Sequence, residues 1–285
     1  NFLESNYKTN NTLGYTNCRD IMNSEIDIKS NNQLSGVYSG YTITLDLSQD
    51  PSTNAYEQGI NCEHTWPQSL GAGSEPMKSD MHHLFPTKSN VNSSRGNDPF
   101  DEINDQLTDI WYRNNNSQSN IPQNFINEYA EKYNPSNQND ERFEPREEQK
   151  GNTARAMAYF FTMYNNVADN NFWEIQKQVL FQWHYYDEVD VIELDRTWSI
   201  ASYQDNLPNP FVVDPTLFWR SYFIDQYPLG DVNNDQNINI LDIVMVVDFV
   251  LGNNDFVQLQ IHQSDFSNDF NIDIMDIILF IEYLI

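Results

Sequence analysis

Two stretches near the end of this 285-residue chain repeat one plan 34 residues apart, and no other feature restricts its folding so tightly. In the first, Asp231, Asn233, Asp235, Asn237, Asn239 and Asp242 fall at positions 1, 3, 5, 7, 9 and 12 of a loop. In the second, the same positions hold Asp265, Ser267, Asp269, Asn271, Asp273 and Asp276. Such alternation sets oxygen ligands around one centre, with position 7 offering its backbone carbonyl, the donor set that hard Ca²⁺ requires. Position 8 is apolar both times, Ile238 and Ile272, and a helix is expected after each loop, over Leu241–Leu251 and Ile274–Ile285. Both helices are apolar on nearly every face, so they require burial against each other or a partner.

These loop-plus-helix units resemble the dockerin module, and the resemblance covers residues 230–285. It implies two bound calcium ions and docking onto a cohesin-like protein partner; a calcium-stapled cap on the chain is the other use the sequence leaves open. Two departures stand out. Position 6 favours Gly for its sharp turn, yet it is Gln236 in one loop and Phe270 in the other. Position 3 of the second loop is Ser267, a weaker ligand, so the first site is expected to bind Ca²⁺ more tightly.

Charge separates this tail from the rest. The chain carries 42 acidic against 15 basic residues, a net −27. Ten of those acids, and no Lys or Arg, lie in residues 229–285. The remainder is still acidic, which argues against a simple nucleic-acid binder that steers by a basic surface. With 39% hydrophobic and 14% aromatic residues, a packed core is expected and a wholly disordered acidic chain is excluded. No apolar stretch approaches the ~18 residues of a membrane span. Composition shifts abruptly after Tyr227-Pro228-Leu229-Gly230, placing the expected domains at 1–228 and 229–285. Cys18 and Cys62 suggest one disulfide of a secreted protein, or two unrelated buried thiols. The start at Asn1, without Met or an apolar leader, fits a mature secreted product and equally a trimmed cytosolic one.

Local patterns give a coarse map. Val37 to Thr44 is β-branched and aromatic and reads as extended, whereas residues 113–124 read as a polar loop. Ala154, Met157, Ala158 and Phe161 predict a helix capped by Asn152 or Thr153. Phe172, Ile175, Val179 and Trp183 predict another from Asn171 to His184.

Reactive side chains gather in residues 61–97. Asn61-Cys62-Glu63-His64-Thr65-Trp66-Pro67 is followed by Asp80-Met81-His82-His83-Leu84-Phe85-Pro86 and then by Val91-Asn92-Ser93-Ser94-Arg95-Gly96-Asn97. A carboxylate and an amide oxygen suit Mg²⁺, which keeps several waters. An unligated histidine can take a proton from water at neutral pH. Metal plus base is the minimal equipment for hydrolysing a phosphodiester. Adjacent residues on a regular strand face opposite sides, so irregular backbone is expected where Glu63 and His64 converge.

Those three strings, with Phe143-Glu144-Pro145 and Lys150-Gly151-Asn152-Thr153-Ala154-Arg155, resemble the bacterial endonuclease I family across roughly residues 15–220. The resemblance implies an α+β fold with a ββα-metal (His-Me) finger, here joined to an all-α module with two EF-hand-like loops. It implies a secreted, extracellular or periplasmic monomer that cuts DNA, and RNA with it, to 5′-phosphate ends. His64 would be the general base, and Glu63 and Asn92 the ligands of one Mg²⁺ (or Mn²⁺). Arg95 would hold the scissile phosphate or form a structural ion pair, and Asn97 would orient the finger. His82 and His83 would pack beside the site, and Lys78 and Lys88 would contact phosphates. A Cys18–Cys62 bridge would brace the finger. Leu207-Pro208 stands where an arginine is expected, which removes one backbone contact. Two alternatives remain: a zinc knot of Cys62, His64, His82 and His83, and a non-catalytic, calcium-dependent binding or scaffold protein.

Overall fold

The computed structural model describes residues 2–285. The chain forms two compact units, one running through Val213 and the other from Asp214 to Ile285.

The first unit is α+β. Helices α1 (Phe2–Tyr7) and α2 (Tyr15–Ile21) lead through a π-helical turn into an antiparallel sheet of β1 (Ile28–Lys29), β2 (Gln33–Ser35) and β3 (Thr42–Thr44). Val37–Ser39, expected to be extended, is a turn between β2 and β3 that buries Tyr38. Helix α3 (Pro51–Glu57) starts on Asp50, whose carboxylate accepts from Thr53 N, with Pro51 in the first turn where no N–H is needed. Then comes the unit that matters most: β4 (Ile60–His64) pairs antiparallel with β5 (Leu84–Lys88), and α4 (Ser89–Arg95) follows β5 directly.

A third sheet has the order β7-β6-β8-β9, built from β6 (Ile110–Arg113), β7 (Asn116–Gln118), β8 (Ala130–Tyr133) and β9 (Arg142–Glu144). The expected polar loop at 113–124 is therefore partly an edge hairpin; Asn114, at φ 52°, supplies the left-handed residue its turn requires.

Helices α5 (Lys150–Met163), α6 (Asn170–Tyr186), α7 (Val191–Ala201) and α8 (Pro210–Val213) follow; α5 packs on α6, on α8 and on the turn that carries His82 and His83. Helix α5 begins earlier than predicted, with Gln149 rather than Asn152 at its cap, because Lys150 is buried and Gly151 N donates to Asp187 Oδ2. Asp169 caps α6. Its inner face is set by Phe172, Trp173, Gln176, Val179, Leu180 and Trp183, while Ile175 points outward at 55% exposure. Trp66 stacks on Phe160 at 5.0 Å and Phe161 on Trp173 at 4.6 Å, tying the segment after β4 to both long helices.

The second unit contains α9 (Thr216–Tyr222), α10 (Ile240–Val250), α11 (Gln258–Ser264) and α12 (Ile274–Leu284). Residues 214–228 group with it: Trp219 donates its indole N–H to Tyr227 O at 2.6 Å and stacks on His262 of α11. Val232, Ile243, Val246 and Phe280 form its core. The two apolar helices are buried on one side only; Ile240, Leu241, Val244, Leu251, Ile274, Met275 and Ile278 stay exposed. No helix among the described residues is long and apolar enough to cross a membrane.

Candidate active site

Strand β4 stays regular through the His64↔Leu84 pair, and the bend arrives at Thr65, so the expected irregularity lies one residue beyond the two side chains. Their partners divide accordingly. Glu63 Oε1 accepts from the Tyr38 hydroxyl at 2.8 Å and lies 3.3 Å from Arg95 Nη1. Burial pushes the Glu63 carboxyl up, while Arg95 and Tyr38 pull it back. The His64 ring sits 5.5 Å from both Tyr15 and His83.

His64 has a defined tautomer. Its Nε2 is 3.0 Å from the carbonyl of Lys78, which can only accept, so Nε2 carries the proton. Nδ1 is left as the basic nitrogen, 3.4 Å from the Gln68 amide. Burial first, then the neighbouring His83, hold the imidazole down at about 3, so it is neutral over the working range of most enzymes.

On the other face of β4, Asn92 of α4 donates its amide to Asn61 Oδ1 at 2.9 Å and to Cys62 O at 3.2 Å. Both hydrogen bonds use Nδ2, which fixes the amide and leaves Oδ1 available. Tyr38 and Arg95 both engage Oε1 of Glu63, which leaves Oε2 available. Both are hard oxygen donors, the kind that a divalent cation such as Mg²⁺ takes.

Arg95 does not reach out to a phosphate. It is 1% exposed, donates to His64 O at 3.2 Å and Thr65 O at 2.8 Å, and lies over Phe100. Of the two roles weighed for it, the geometry is that of the structural ion pair. Asn97 donates to Ser69 Oγ at 2.9 Å, joining the end of α4 to the turn after β4.

His82 and His83 lie on a 3₁₀ turn rather than a strand, both buried, with Nε2 on the carbonyls of Leu207 and Met77. With His64 on the carbonyl of Lys78 and Cys62 packed toward Cys18, the four zinc candidates do not share a centre. Lys78 and Lys88 each lie over a tyrosine ring, Tyr15 and Tyr41 respectively. The disulfide expectation is corrected. Cys18 and Cys62 pack in one cluster with Met22, Met81 and Leu84 but are free thiols, Cys18 Sγ donating to Tyr15 O.

Several supporting residues escaped the sequence. Tyr38 and Tyr15 lie dozens of residues upstream of the motif, and nothing local marks them. Asp80 was visible within its motif but without a role. It accepts from Tyr159 and Tyr164 hydroxyls at 2.8 and 2.7 Å, Gln204 Nε2 at 2.8 Å and His82 N at 3.1 Å, pinning the turn that carries His83.

The two acidic loops are near copies in structure. Asp231 accepts from Asp235 N and Gln236 N, as Asp265 accepts from Asp269 N and Phe270 N. Asp242 accepts from Asn233 N and Asn239 N, as Asp276 accepts from Ser267 N and Asp273 N. Gln236 and Phe270 adopt the left-handed turn, φ 66° and 64°, that glycine would occupy without strain. The donor set is all oxygen and fits Ca²⁺.

Fold and site thus define a two-module α+β protein: a buried histidine, carboxylate and amide on a strand–strand–helix unit, and a pair of acidic ligand loops. The family model for endonuclease I matches residues 2–216, and the chain belongs to that family. The model for the dockerin type I domain matches residues 229–285. The chain is 29% identical over 173 residues to an extracellular ribonuclease of Bacillus subtilis (strain 168). It is 31% identical over 172 residues to an extracellular ribonuclease of Bacillus amyloliquefaciens. Each match covers 54% of this chain and 51% of the relative, so the chain spans about half the length of the curated relatives it matches.

Proposed function

We propose that the chain is a metal-dependent, non-specific endonuclease acting on DNA and RNA outside the cell, tethered through its C-terminal module. The observation that carries this is the His64 tautomer: Nε2–H is held by Lys78 O, leaving Nδ1 neutral and basic. In this reading β4, β5 and α4 are the ββα-metal finger. Nδ1 takes the proton of a water whose oxygen attacks phosphorus, the bond to the 3′-oxygen breaks, and that oxygen takes a proton from a second water, leaving a 5′-phosphate and a 3′-hydroxyl. When held by Glu63 Oε2 and Asn92 Oδ1, Mg²⁺ (or Mn²⁺) supplies positive charge to the scissile phosphate and the departing oxygen. Arg95 is a positioning residue that fixes both the His64 carbonyl and the Glu63 carboxylate.

The second unit takes Ca²⁺ in both loops, and the exposed faces of α10 and α12 suit a cohesin-like partner. The extracellular relatives and the dockerin match support secretion. The test is digestion of plasmid DNA and of RNA with Mg²⁺, compared with His64→Ala. Loss of both activities in the variant sustains the proposal. Wild-type protein inert on both nucleic acids would favour the binding or scaffold alternative.

A further inference from the structure

Cations are scarce in this protein, and most are held in ion pairs. Eleven of the fifteen Lys and Arg side chains form ion pairs with carboxylates. Among the described residues, Arg19, Lys29, Lys78 and Lys88 form none. Two of these four converge on one ring. The Arg19 guanidinium carbon lies 4.6 Å from the centroid of Tyr15, and Lys78 Nζ lies 4.8 Å from the same centroid. That ring is the one packed against His64, at 5.5 Å. Lys78 is also the residue whose carbonyl fixes His64 Nε2.

Neither cation is ion-paired among the described residues, and the Asp50 carboxylate acts on Arg19 only at longer range. The two like charges on one tyrosine repel each other, and the electron-rich face of the ring offsets only part of that repulsion. Arg19 spends Nε on Tyr15 O at 3.2 Å, which orients the guanidinium, and among the described residues its terminal nitrogens make no hydrogen bond. Both cations are half-buried, so they are less screened than surface lysines. An anion between them would relieve the repulsion, and a phosphodiester has the charge and acceptor geometry that Arg and Lys recognise.

We propose that Arg19 and Lys78, assembled on Tyr15 beside His64, form a subsite for a backbone phosphate next to the scissile one. This rests on the nuclease reading and extends it, since the enzyme would then require a substrate of several nucleotides. The subsite fixes where the chain lies on the His64 side. Tyr15 is the scaffold that holds the two cations apart at a set spacing.

The test pairs variants of the full chain with single-site methylphosphonate substitutions, which remove one backbone charge at a time. Arg19→Gln and Lys78→Gln should each lower kcat/KM on a short single-stranded oligonucleotide about tenfold, mainly through KM. Arg19→Lys should recover part of the loss, and Lys29→Gln should match wild type. One methylphosphonate position should cost wild type a similar factor and cost Arg19→Gln nothing further. If the losses multiply at every position, or Arg19→Gln binds and cleaves like wild type, the subsite does not exist. Oligonucleotide binding by fluorescence anisotropy in Ca²⁺ separates this from failure of the nuclease reading. A wild type that binds but does not cleave would overturn that reading alone, and weaker binding by Arg19→Gln would still sustain the subsite.

Discussion

His64 donates Nε2–H to the main-chain carbonyl of Lys78 over 3.0 Å. A backbone acceptor cannot be titrated away, so the ring keeps one tautomer and one orientation whatever the solution pH. Removal of the ring should therefore remove the base and little else. His64→Ala is expected to lower kcat by ~10²–10⁴ with far-UV circular dichroism unchanged. Added imidazole should restore part of the rate by entering the vacated space. An activity loss below tenfold would dismiss His64 as the base.

Glu131 and Glu144 are register partners on β8 and β9. Burial, then the charge of Glu144, raises the Glu131 carboxyl to about 8; burial raises Glu144 to about 7 despite its 2.7 Å ion pair with Lys150. The folded state therefore holds protons that the unfolded chain, titrating near 4.3, has released. Stability is fullest below that value and falls as pH rises toward 8. Glu131→Gln should raise the unfolding midpoint at pH 8 by about 3 °C, roughly 1 kcal/mol, and leave it unchanged at pH 5. Calorimetry in saturating calcium decides; an equal shift at both pH values refutes the pairing.

Within the second unit, loop carboxylates are crowded around two centres, and the core that α10 and α12 share is small. Calcium removal by EGTA should reduce helical dichroism and expose a separate low-temperature transition, while Mg²⁺-dependent cleavage by the first unit persists. Calorimetric titration should show two steps, the tighter one lost in Asp231→Ala, because Asn233 offers an amide oxygen where the second loop has the Ser267 hydroxyl. Ser267 Oγ already points to Asp265 Oδ1 at 3.3 Å. Equal affinities would contradict this ordering.

Cys18 and Cys62 should titrate as two free thiols with a chromogenic disulfide reagent once the chain is unfolded. In the native state both should react slowly at pH 8. Burial pushes Cys18 up to about 12 and Cys62 higher still, so almost no thiolate is present to attack. Absence of two titratable thiols in purified protein would restore the bridge.

Periodicity and motif made legible what depends on neighbours in sequence. The alternating loop residues and the helices after them follow from residue types at fixed spacing, whereas the strand–strand–helix order of 60–95 was implied by the resemblance of its motifs to the endonuclease I family. What escaped depended on residues meeting across the fold. Tyr38 reaches Glu63 from a turn, and Tyr15 reaches His64 from α2; a tyrosine alone in sequence carries no sign of either. Arg95 shows the same limit. Its place beside the motif left a phosphate-holding role and a structural ion pair both open, and the inward course of its guanidinium to two carbonyls is a matter of how α4 packs against β4. Packing across the fold also decides where residues 214–228 sit. Composition changes at 228, where the dockerin match also begins, whereas Trp219 stacks on His262 and groups residues 214–228 with the second unit.

The net charge of −27 has a consequence for salt. With eleven of fifteen cations paired internally, the distant field is negative and repels a polyanion, while binding rests on few local contacts. For two phosphate contacts on a single strand, counterion release costs affinity with a log–log slope of only about −1.4. Added salt screens the repulsion over the same range, the Debye length falling from ~10 Å at 0.1 M toward ~3 Å at 1 M. The two effects oppose each other, so cleavage rates at fixed, subsaturating DNA should persist or rise up to about 0.6 M NaCl. A steep monotonic loss between 0.1 and 0.6 M would show that attraction by a basic surface dominates, and would refute this account of the acidic exterior.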